Sequence, residues 1–354
     1  MDSKVENFLG RSVALDDSAE LLHAAPAGLS DELWGDTMWL SALDPSAGII
    51  GVNHMHVTNR GYARFQCHYW IDGVRQSYAC RSPFVYDAAL TSWSAGHLRY
   101  EVLEPFRSVR LTMDGPRFGF DLIYESRFPP FDYDDCRGGN PLWIVKPVAA
   151  SHGGHYEQAA LCRGTFEIRG GPSAGQTRSI DCLAHRDHTW SDRFAALRDW
   201  DEEDVPDAAM HFWLVLQFPE REFQGIGFFD PAPFGGYTSE NTGRAGCESS
   251  ERGNRNAIKI EPIREYEGTK TAQSFRTDGG PDRWRYTFSD GEVCTIRATR
   301  RYGTVELIMR GENDAENTLS DYEDIVDLEI EETGERGYGV IEYSVLPPRP
   351  RWVC

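Results

Sequence analysis

The sequence predicts an all-β protein, built as two antiparallel β-barrels packed side by side with few short helices. Three observations predict it. Helical periodicity is nearly absent, short segments of strand-like composition are separated by Gly, Pro, Asn and Asp, and turns such as Asp72-Gly73 are short enough to join antiparallel strands. At about 150 residues per domain, a chain of 354 residues has room for two such barrels.

The first half of the chain predicts one antiparallel meander. Short helices are predicted near Ser18–Leu22 and Asp31–Leu33, with a third at Asp192–Trp200. The predicted strands are Thr37–Leu43, Gly48–Thr58, Tyr62–Ile71, Val74–Arg81, His97–Glu104, Ser108–Met113 and Arg117–Ser126. The strand Tyr62–Ile71 is apolar on both faces, which predicts cover outside the barrel and a filled or ligand-lined interior.

The boundary between the barrels is predicted at 152/153, after a Pro- and Gly-rich stretch that interrupts the strand rhythm. Residues 1–152 then form the first barrel and residues 153–354 the second. The second set of predicted strands is His155–Ile168, Arg178–Trp190, Met210–Pro219, Phe223–Asp230, Ala257–Glu267, Thr271–Thr277, Trp284–Phe288, Glu292–Arg301, Gly303–Arg310 and Tyr338–Leu346. We expect Tyr237–Asn256 to be a loop and Ser320–Gly334 to be acidic and solvated.

The charge of the chain excludes several classes of partner. Acidic residues outnumber basic ones by 56 to 36, so the formal net charge is −20 and the isoelectric point is about 4.9. This argues against nucleic acid and against anionic lipid as partners. No apolar run approaches the roughly 18 residues of a membrane span, and the N-terminus lacks a signal-peptide pattern. Eight scattered cysteines without a CxxC motif indicate reduced thiols, and we expect a cytoplasmic protein.

The densest group of polar and aromatic residues is the run Cys182–Arg193. On a strand, Arg186, His188 and Trp190 share one face, and His185 and Asp187 lie on the other. An imidazole beside an indole is suited to general acid–base chemistry and to stabilising a cation. The structural alternative is that Asp187 pairs with Arg193 and only fixes the strand end.

The spacing Cys182-x2-His185-x2-His188 resembles a metal motif, but positions three apart on a strand face opposite sides. We therefore expect no metal site. Nucleophile-elbow, phosphate-loop and zinc-protease motifs are missing from the sequence, and no cofactor is expected.

Three further segments carry candidate site residues, which are assigned to substrate binding except for Glu157, a candidate catalytic residue. His155 and Glu157 share a face at the start of a strand, opposite Tyr156. His54 and His56 share a face of another strand. The remaining candidates, on one face of a strand in the second half, are His211, Trp213 and Gln217.

These motifs together resemble a known group, the tandem lipocalin-like proteins that include the AttH-like proteins and the carotenoid 1,2-hydratases (hydroxyneurosporene synthases). The resemblance depends on Gly164-x-Phe166-x-Ile168, the run His185–Arg193, the His155–Gln158 segment and the aromatic opening Glu32–Trp39. It implies two lipocalin-like barrels. It also implies that His188 and Trp190 lie in the active site, and that a Tyr-x-Asp pair on a following strand supplies the proton donor. This sequence has no Asp in the corresponding His211–Gln217 segment.

The function predicted from these residues and this resemblance is a cofactor-free lyase, such as a hydratase or dehydratase, acting on a hydrophobic terpenoid, steroid or aromatic molecule. His188 would transfer the proton and Trp190 would stabilise a developing cation. Glu157 and Asp187 would orient the histidine, and Arg186 would bind substrate or hold the motif in shape. The alternatives are a cyclase or pericyclic catalyst, and a non-catalytic carrier of a hydrophobic ligand. The sequence leaves a homodimer open.

Overall fold

The first sheet brings together strands that are far apart in the sequence. In the computed structural model the described residues are 15–25, 34–59, 61–87, 90–132, 154–191, 210–229, 245–263, 282–310 and 318–345. The strands of the first sheet are β1 (Gly35–Asp44), β2 (Ile49–Thr58), β3 (Tyr62–Ile71), β4 (Val74–Pro83), β5 (Ser92–Ala95), β6 (Leu98–Glu104), β7 (Ser108–Asp114), β8 (Phe118–Ser126), β9 (Phe131–Asp132), β10 (Gly154–Ile168) and β11 (Thr177–Ser191).

These strands curl into a nearly closed barrel. Their order is β4-β3-β2-β1-β11-β10-β8-β7-β6-β5, with β9 also paired to β10. The two ends of this order meet, because the Tyr78 ring on β4 lies 5.5 Å from the His97 ring in the turn between β5 and β6. A short 3-10 helix at Asp17–Glu20 precedes the sheet, and the Asp16 side chain caps it by accepting from the Ser18 backbone N–H at 2.8 Å.

The second sheet is a closed barrel. Its strands, in the order in which they pair, are β12 (Met210–Gln217), β13 (Arg221–Phe229), β14 (Ala245–Ser250), β15 (Gly253–Pro262), β16 (Arg283–Phe288), β17 (Val293–Arg310), β18 (Thr318–Ile330) and β19 (Arg336–Val345). Pairing of β12 with β19 closes it. Its interior is filled by apolar and aromatic side chains, among them Phe212, Trp284 and Tyr286. No helix among the described residues is long and apolar enough to cross a membrane.

The start of the second barrel differs from the predicted 152/153 boundary. Strands β10 and β11 belong to the first sheet, where β11 pairs with β1 and β10 pairs with β8. The change of sheet therefore falls between Ser191 and Met210. The Pro- and Gly-rich stretch interrupts the strand pattern but does not end the first barrel. The first sheet needs two more strands, β10 and β11, to cover its apolar interior.

The predictions for one solvated segment and one loop were wrong. The acidic segment Ser320–Gly334 is mostly the strand β18, where Glu323 and Asp324 are buried. The predicted loop Tyr237–Asn256 contains β14. The predicted helices Asp31–Leu33 and Asp192–Trp200, and the strand Thr271–Thr277, lie outside the described residues.

An apolar interface joins the two barrels. The Trp39 ring of β1 meets the Trp213 ring of β12 edge to face, with centroids 4.9 Å apart. Trp70 of β3 fits against Gly303 of β17, where an added Cβ would lie 2.2 Å from the indole. Only glycine permits this approach, so the interface constrains the sequence of both barrels.

Candidate active site

Strand β11 carries polar side chains on both faces, as its alternation predicts. Arg186, His188 and Trp190 lie on the face that lines the interior of the first barrel, and the same face continues into the apolar core at Ala184. Tyr156 of β10 lies directly opposite His188. The His188 ring is 5.4 Å from the Trp190 ring and 5.9 Å from the Tyr156 ring. The interior is therefore apolar at one end and polar and aromatic at the other.

His188 is paired with a carboxylate from β1. Its Nε2 lies 2.9 Å from Oδ1 of Asp36, a residue with no exposed surface. The Nδ1 of His23 lies 2.8 Å from the same oxygen, and the hydroxyl of Tyr86 donates to the other carboxylate oxygen. Asp36 thus accepts from two imidazoles and a phenol. Pairing of β1 with β11 creates this arrangement, since it sets Asp36 opposite Trp190.

The N-terminal segment supplies the aromatic partner of Trp190. The His23 ring stacks on the Trp190 indole at 3.9 Å with an interplanar angle of 7°. On the neighbouring strand the indole lies over Gly154, where a Cβ would be 2.1 Å from the ring. His23 therefore covers one face of Trp190, and Gly154 leaves the space that the indole occupies.

Arg186 forms a buried ion pair with the same N-terminal segment. Its guanidinium donates to both carboxylate oxygens of Glu20, at 2.5 and 2.9 Å. It also donates to the Tyr156 hydroxyl at 3.2 Å and to the Gln158 side chain. Glu20 and Arg186 are both almost fully buried, so their charges balance each other inside the barrel. We call Glu20, His23, Asp36, Arg186 and His188 the interior cluster.

The interior cluster holds two ionised carboxylates. Burial would raise the pKa of Asp36, but hydrogen bonds from His188 and His23 hold that pKa below its usual value. Arg186 likewise lowers the pKa of Glu20 against the effect of burial. Because the Asp36 carboxylate only accepts, we assign the His188 Nε2 as protonated. The other ring nitrogen, Nδ1, is buried and has no hydrogen-bond partner among the described residues.

A second polar group lies on the outer face of β10 and β11, where it meets the second barrel. We call His155, Glu157, His185, Asp187 and Glu222 the interbarrel cluster. Its imidazoles bridge carboxylates: His155 Nε2 lies 2.9 Å from Glu157 and 3.2 Å from Asp187, and His185 Nδ1 lies 2.7 Å from Glu222 of β13. The other His185 nitrogen contacts Glu157.

The interbarrel histidines are held in their charged form. Burial alone would lower the pKa of His185, but Glu222 and Glu157 raise it to about 10. Glu157 and Asp187 raise the pKa of His155 to about 9 against the same effect of burial. The two histidines in turn lower the pKa of Glu157 to about 2. His185 is thus a buried cation that links the first barrel to the second.

The structure separates candidates that the sequence had grouped. Glu157 and Asp187 were expected to orient His188, but they lie on the opposite face of the sheet, and Asp36 takes that position instead. The predicted role of Glu157 and Asp187 was therefore wrong, because side chains alternate along a strand and these two lie on the face opposite His188. Trp213 lies in the interbarrel contact, where its Nε1–H donates to Glu157 at 2.6 Å.

The remaining candidates also lie away from His188. His54 is opposite Trp39 in register, so both it and His56 are on the outer face of β2. Gln217 is buried on the face of β12 shared with Trp213, and both its side-chain polar atoms are without a partner among the described residues. The side chain of His211, and Arg193 as a whole, lie outside the described part of the structure.

Two groups in the described residues have donor atoms close enough to surround a cation: His23, Asp36 and His188, and His155, Glu157 and Asp187. In both, the ligand atoms lie within 4.8 Å of one another. In the first group both imidazole nitrogens point at one oxygen of Asp36, which is the geometry of N–H···O hydrogen bonds. Cys182, His185 and His188 alternate in face, as predicted.

Sequence reasoning missed Glu20, His23 and Asp36. A signal existed for Asp36, because it shares the alternation of the apolar residues Met38 and Leu40 and so had to face the interior. No comparable signal exists for Glu20 and His23, which reach the site from a segment outside the sheet.

The comparisons with known proteins are consistent with this architecture. The family model described as "Domain of unknown function (DUF7064)" matches residues 16–237, which is more than half of the chain and includes the whole first sheet. No curated protein sequence matches the chain.

Solved structures share the fold. The crystal structure of kievitone hydratase from Nectria haematococca has a TM-score of 0.50 and 16% identity, with 91% of this chain and 94% of that chain covered. CghA with Sch210972 has a TM-score of 0.54 and 11% identity, with coverage of 94% and 96%. CghA alone has a TM-score of 0.53 and 11% identity, with coverage of 92% and 94%. This similarity confirms the predicted all-β architecture of two lipocalin-like sheets.

Proposed function

We propose that this chain, which belongs to the DUF7064 family, is an enzyme that adds water to, or removes water from, a hydrophobic small molecule inside its first barrel. The observation that carries the proposal is the state of His188. It is buried in the barrel, its Nε2 is bound to Asp36, and its Nδ1 has no partner among the described residues. A buried ring nitrogen of this kind is suited to exchange a proton with a bound substrate.

The reaction would use the protonated and neutral forms of His188 in turn. In the hydration direction, Nδ1 gives its proton to an alkene carbon, and the neighbouring carbon becomes cationic. The oxygen of a water molecule then bonds to that carbon, and the surplus proton of the water returns to Nδ1. Dehydration is the same sequence in reverse. Asp36 stabilises the imidazolium form and keeps the ring in one orientation in both forms.

The aromatic rings beside His188 would stabilise the cationic intermediate. Besides the His23 ring at 5.3 Å, the aromatic rings of Trp190 and Tyr156 lie next to the imidazole, and a π face attracts a cation. His23 covers one face of Trp190 and the indole lies over Gly154, so a substrate can meet only the part of the ring that these two residues leave open. The resemblance to the carotenoid 1,2-hydratases, which places a His-x-Trp pair in the active site, and the similarity in fold to kievitone hydratase both support this assignment.

The test is turnover in isotopic water. The protein is incubated in H2¹⁸O with a panel of terpenoid, steroid and prenylated aromatic alkenes, and with the corresponding tertiary alcohols. Mass spectrometry should detect ¹⁸O in an alcohol product, or loss of water, with the wild type and not with His188→Ala. The control is His97→Ala, since His97 is exposed in the turn between β5 and β6.

Other outcomes would overturn the proposal. An isomerised or cyclised product without ¹⁸O would favour a cyclase. Binding without turnover of any panel member would favour a carrier. Equal turnover by the wild type and His188→Ala would remove His188 from the reaction.

A further inference from the structure

Two cysteines face each other across the neighbouring strands β10 and β11. Cys162 and Cys182 are directly opposite in register, and both side chains belong to the face that lines the interior of the first barrel. On this face one pair of residues, Ala160 and Ala184, separates them from the interior cluster. Both thiols are free in the structure. The two cysteines therefore form a pair of reduced thiols below the candidate active site.

The register holds the two cysteines at a distance that suits a disulfide. Directly opposed residues of an antiparallel pair have Cα atoms about 4.5 or 5.5 Å apart, and a disulfide requires a separation of about 4.4–6.8 Å. The thiols are also neighbours, because the Cys182 side chain is a hydrogen-bond partner of the Cys162 thiol. A bond between the two sulfur atoms can therefore form without a change in strand pairing.

The two thiols differ in exposure. Cys162 has no exposed surface, whereas Cys182 is half-buried. The backbone pairing between β1 and β11 ends at Arg186. Further along, β1 reaches the β11 backbone through side chains, as where the Asp44 carboxylate accepts from the Asp181 N–H at 3.2 Å. A small oxidant can thus reach Cys182 at a place where β11 is hydrogen-bonded along its backbone to β10 alone.

The surroundings of Cys162 determine the order in which the two thiols react. Burial raises the pKa of the Cys162 thiol well above its usual value. This thiol stays protonated and is a poor first nucleophile, because the thiolate is the reactive form of cysteine. Oxidation therefore begins at the exposed partner, Cys182, and Cys162 reacts second.

We propose that Cys162 and Cys182 are a site of reversible oxidation, where hydrogen peroxide converts the two thiols into a disulfide that ties β11 to β10. The Cys182 sulfur attacks one peroxide oxygen, the O–O bond breaks, and a sulfenic acid and one water form. The Cys162 sulfur then bonds to the Cys182 sulfur, and the S–O bond breaks. The leaving hydroxide takes the Cys162 proton and becomes a second water. Two thiols are oxidised and one peroxide is reduced, and a dithiol reductant reverses the reaction.

The experiment maps the thiols of the full chain after oxidation. Reduced wild type is freed of reductant and treated with hydrogen peroxide, the remaining thiols are alkylated in denaturant, and trypsin is added without reduction. Trypsin cuts after Arg163 and Arg178, so the two cysteines fall in separate peptides. We expect mass spectrometry to detect these peptides joined, lighter by two hydrogens than their sum, and separate again after dithiothreitol. Recovery of both cysteines alkylated, or joined only to other cysteines, would overturn the proposal.

Three substitutions test the order of reaction. Cys182→Ala should leave Cys162 unoxidised, and Cys162→Ala should leave a sulfenic acid on Cys182 that dimedone labels. The matched control is Cys67→Ala, because Cys67 is buried in the same barrel but lies opposite Asn53 and Tyr78. This variant should form the disulfide as the wild type does. Equal oxidation of Cys162 in the wild type and in Cys182→Ala would contradict the assigned order. If a variant does not fold, the map of the wild type still decides whether the disulfide forms.

The melting temperature tests whether the bond braces the barrel. Oxidised wild type should melt about 3 °C or more above the reduced protein, since a cross-link restricts the unfolded chain. Peroxide should give no such increase in Cys182→Ala, which controls for oxidation elsewhere in the chain. An unchanged melting temperature in wild type that carries the disulfide would refute the bracing role.

Discussion

Replacing Asp36 with asparagine tests the assignment of the interior cluster most sharply. The carboxylate of Asp36 accepts from His188 Nε2, His23 Nδ1 and the Tyr86 hydroxyl, and also from the His23 backbone N–H at 3.2 Å. An amide has one accepting oxygen, so its NH2 group must face at least one of these donors. The substitution also removes the negative charge that would stabilise a His188 imidazolium.

The expected magnitudes follow from these contacts. Loss of at least one hydrogen bond involving a charged group should lower the free energy of unfolding by about 1.5–3 kcal/mol. Loss of proton transfer by a correctly held histidine should lower kcat by about 10²-fold or more. Denaturant unfolding and turnover of the substrate found in the isotopic screen measure the two effects on the same preparation.

Asp121→Asn is the matched control. Asp121 is on β8 and pairs with Arg110 at the surface, with 45% of its side chain exposed. A surface pair of this kind contributes about 0–1 kcal/mol, so the control should be nearly neutral in both assays. If Asp36→Asn matches the control in stability and in kcat, Asp36 does not hold a catalytic histidine and the reasoning fails.

Four further predictions concern other parts of the molecule. Trp190→Phe should lower kcat about tenfold, since a smaller ring stabilises a cation less, and an unchanged kcat would exclude Trp190 from that role. The melting temperature should fall as pH rises from about 6.5 to 10, because His185 and His155 have raised pKa values in the fold and lose their charge there. His185→Gln should flatten this dependence, and a wild-type melting temperature that rises over the same range would contradict it. Residues 1–152 expressed alone should show no cooperative unfolding, because they lack Gly154–Ser191, the two strands that cover the first barrel; a monomeric two-state transition would refute this. Turnover should survive dialysis against a chelator, and restoration of a lost activity by added Zn²⁺ would overturn the metal-free mechanism.

Local patterns in the sequence predicted much of the fold. Alternation along β11 correctly placed Arg186, His188 and Trp190 on one face, because side-chain direction in a strand depends only on position. The bounds of β3 are those predicted, since Asn59-Arg60-Gly61 and Asp72-Gly73 are strong turn signals.

These local patterns could not predict which strands distant in the sequence pair with each other. Asp36 meets His188 only because β1 pairs with β11, across a separation of 152 residues. The prediction that Ser320–Gly334 is solvated failed because its buried acidic residues have partners on other strands. Glu323 accepts from Trp39 Nε1 at 2.7 Å, and Asp324 pairs with Arg301 at 3.0 Å. Neither partner is evident from the acidic segment itself, so it resembled a solvated loop.

The central claim is that substrate reacts at His188 inside the first barrel. A crystal structure with the product of the isotopic screen bound tests it most directly. We predict that the reacted part of the product lies in the interior of the first barrel. One atom of the product should be about 2.6–3.2 Å from His188 Nδ1. A product bound between the barrels, against Glu157 and Trp213 and out of reach of His188, would contradict it.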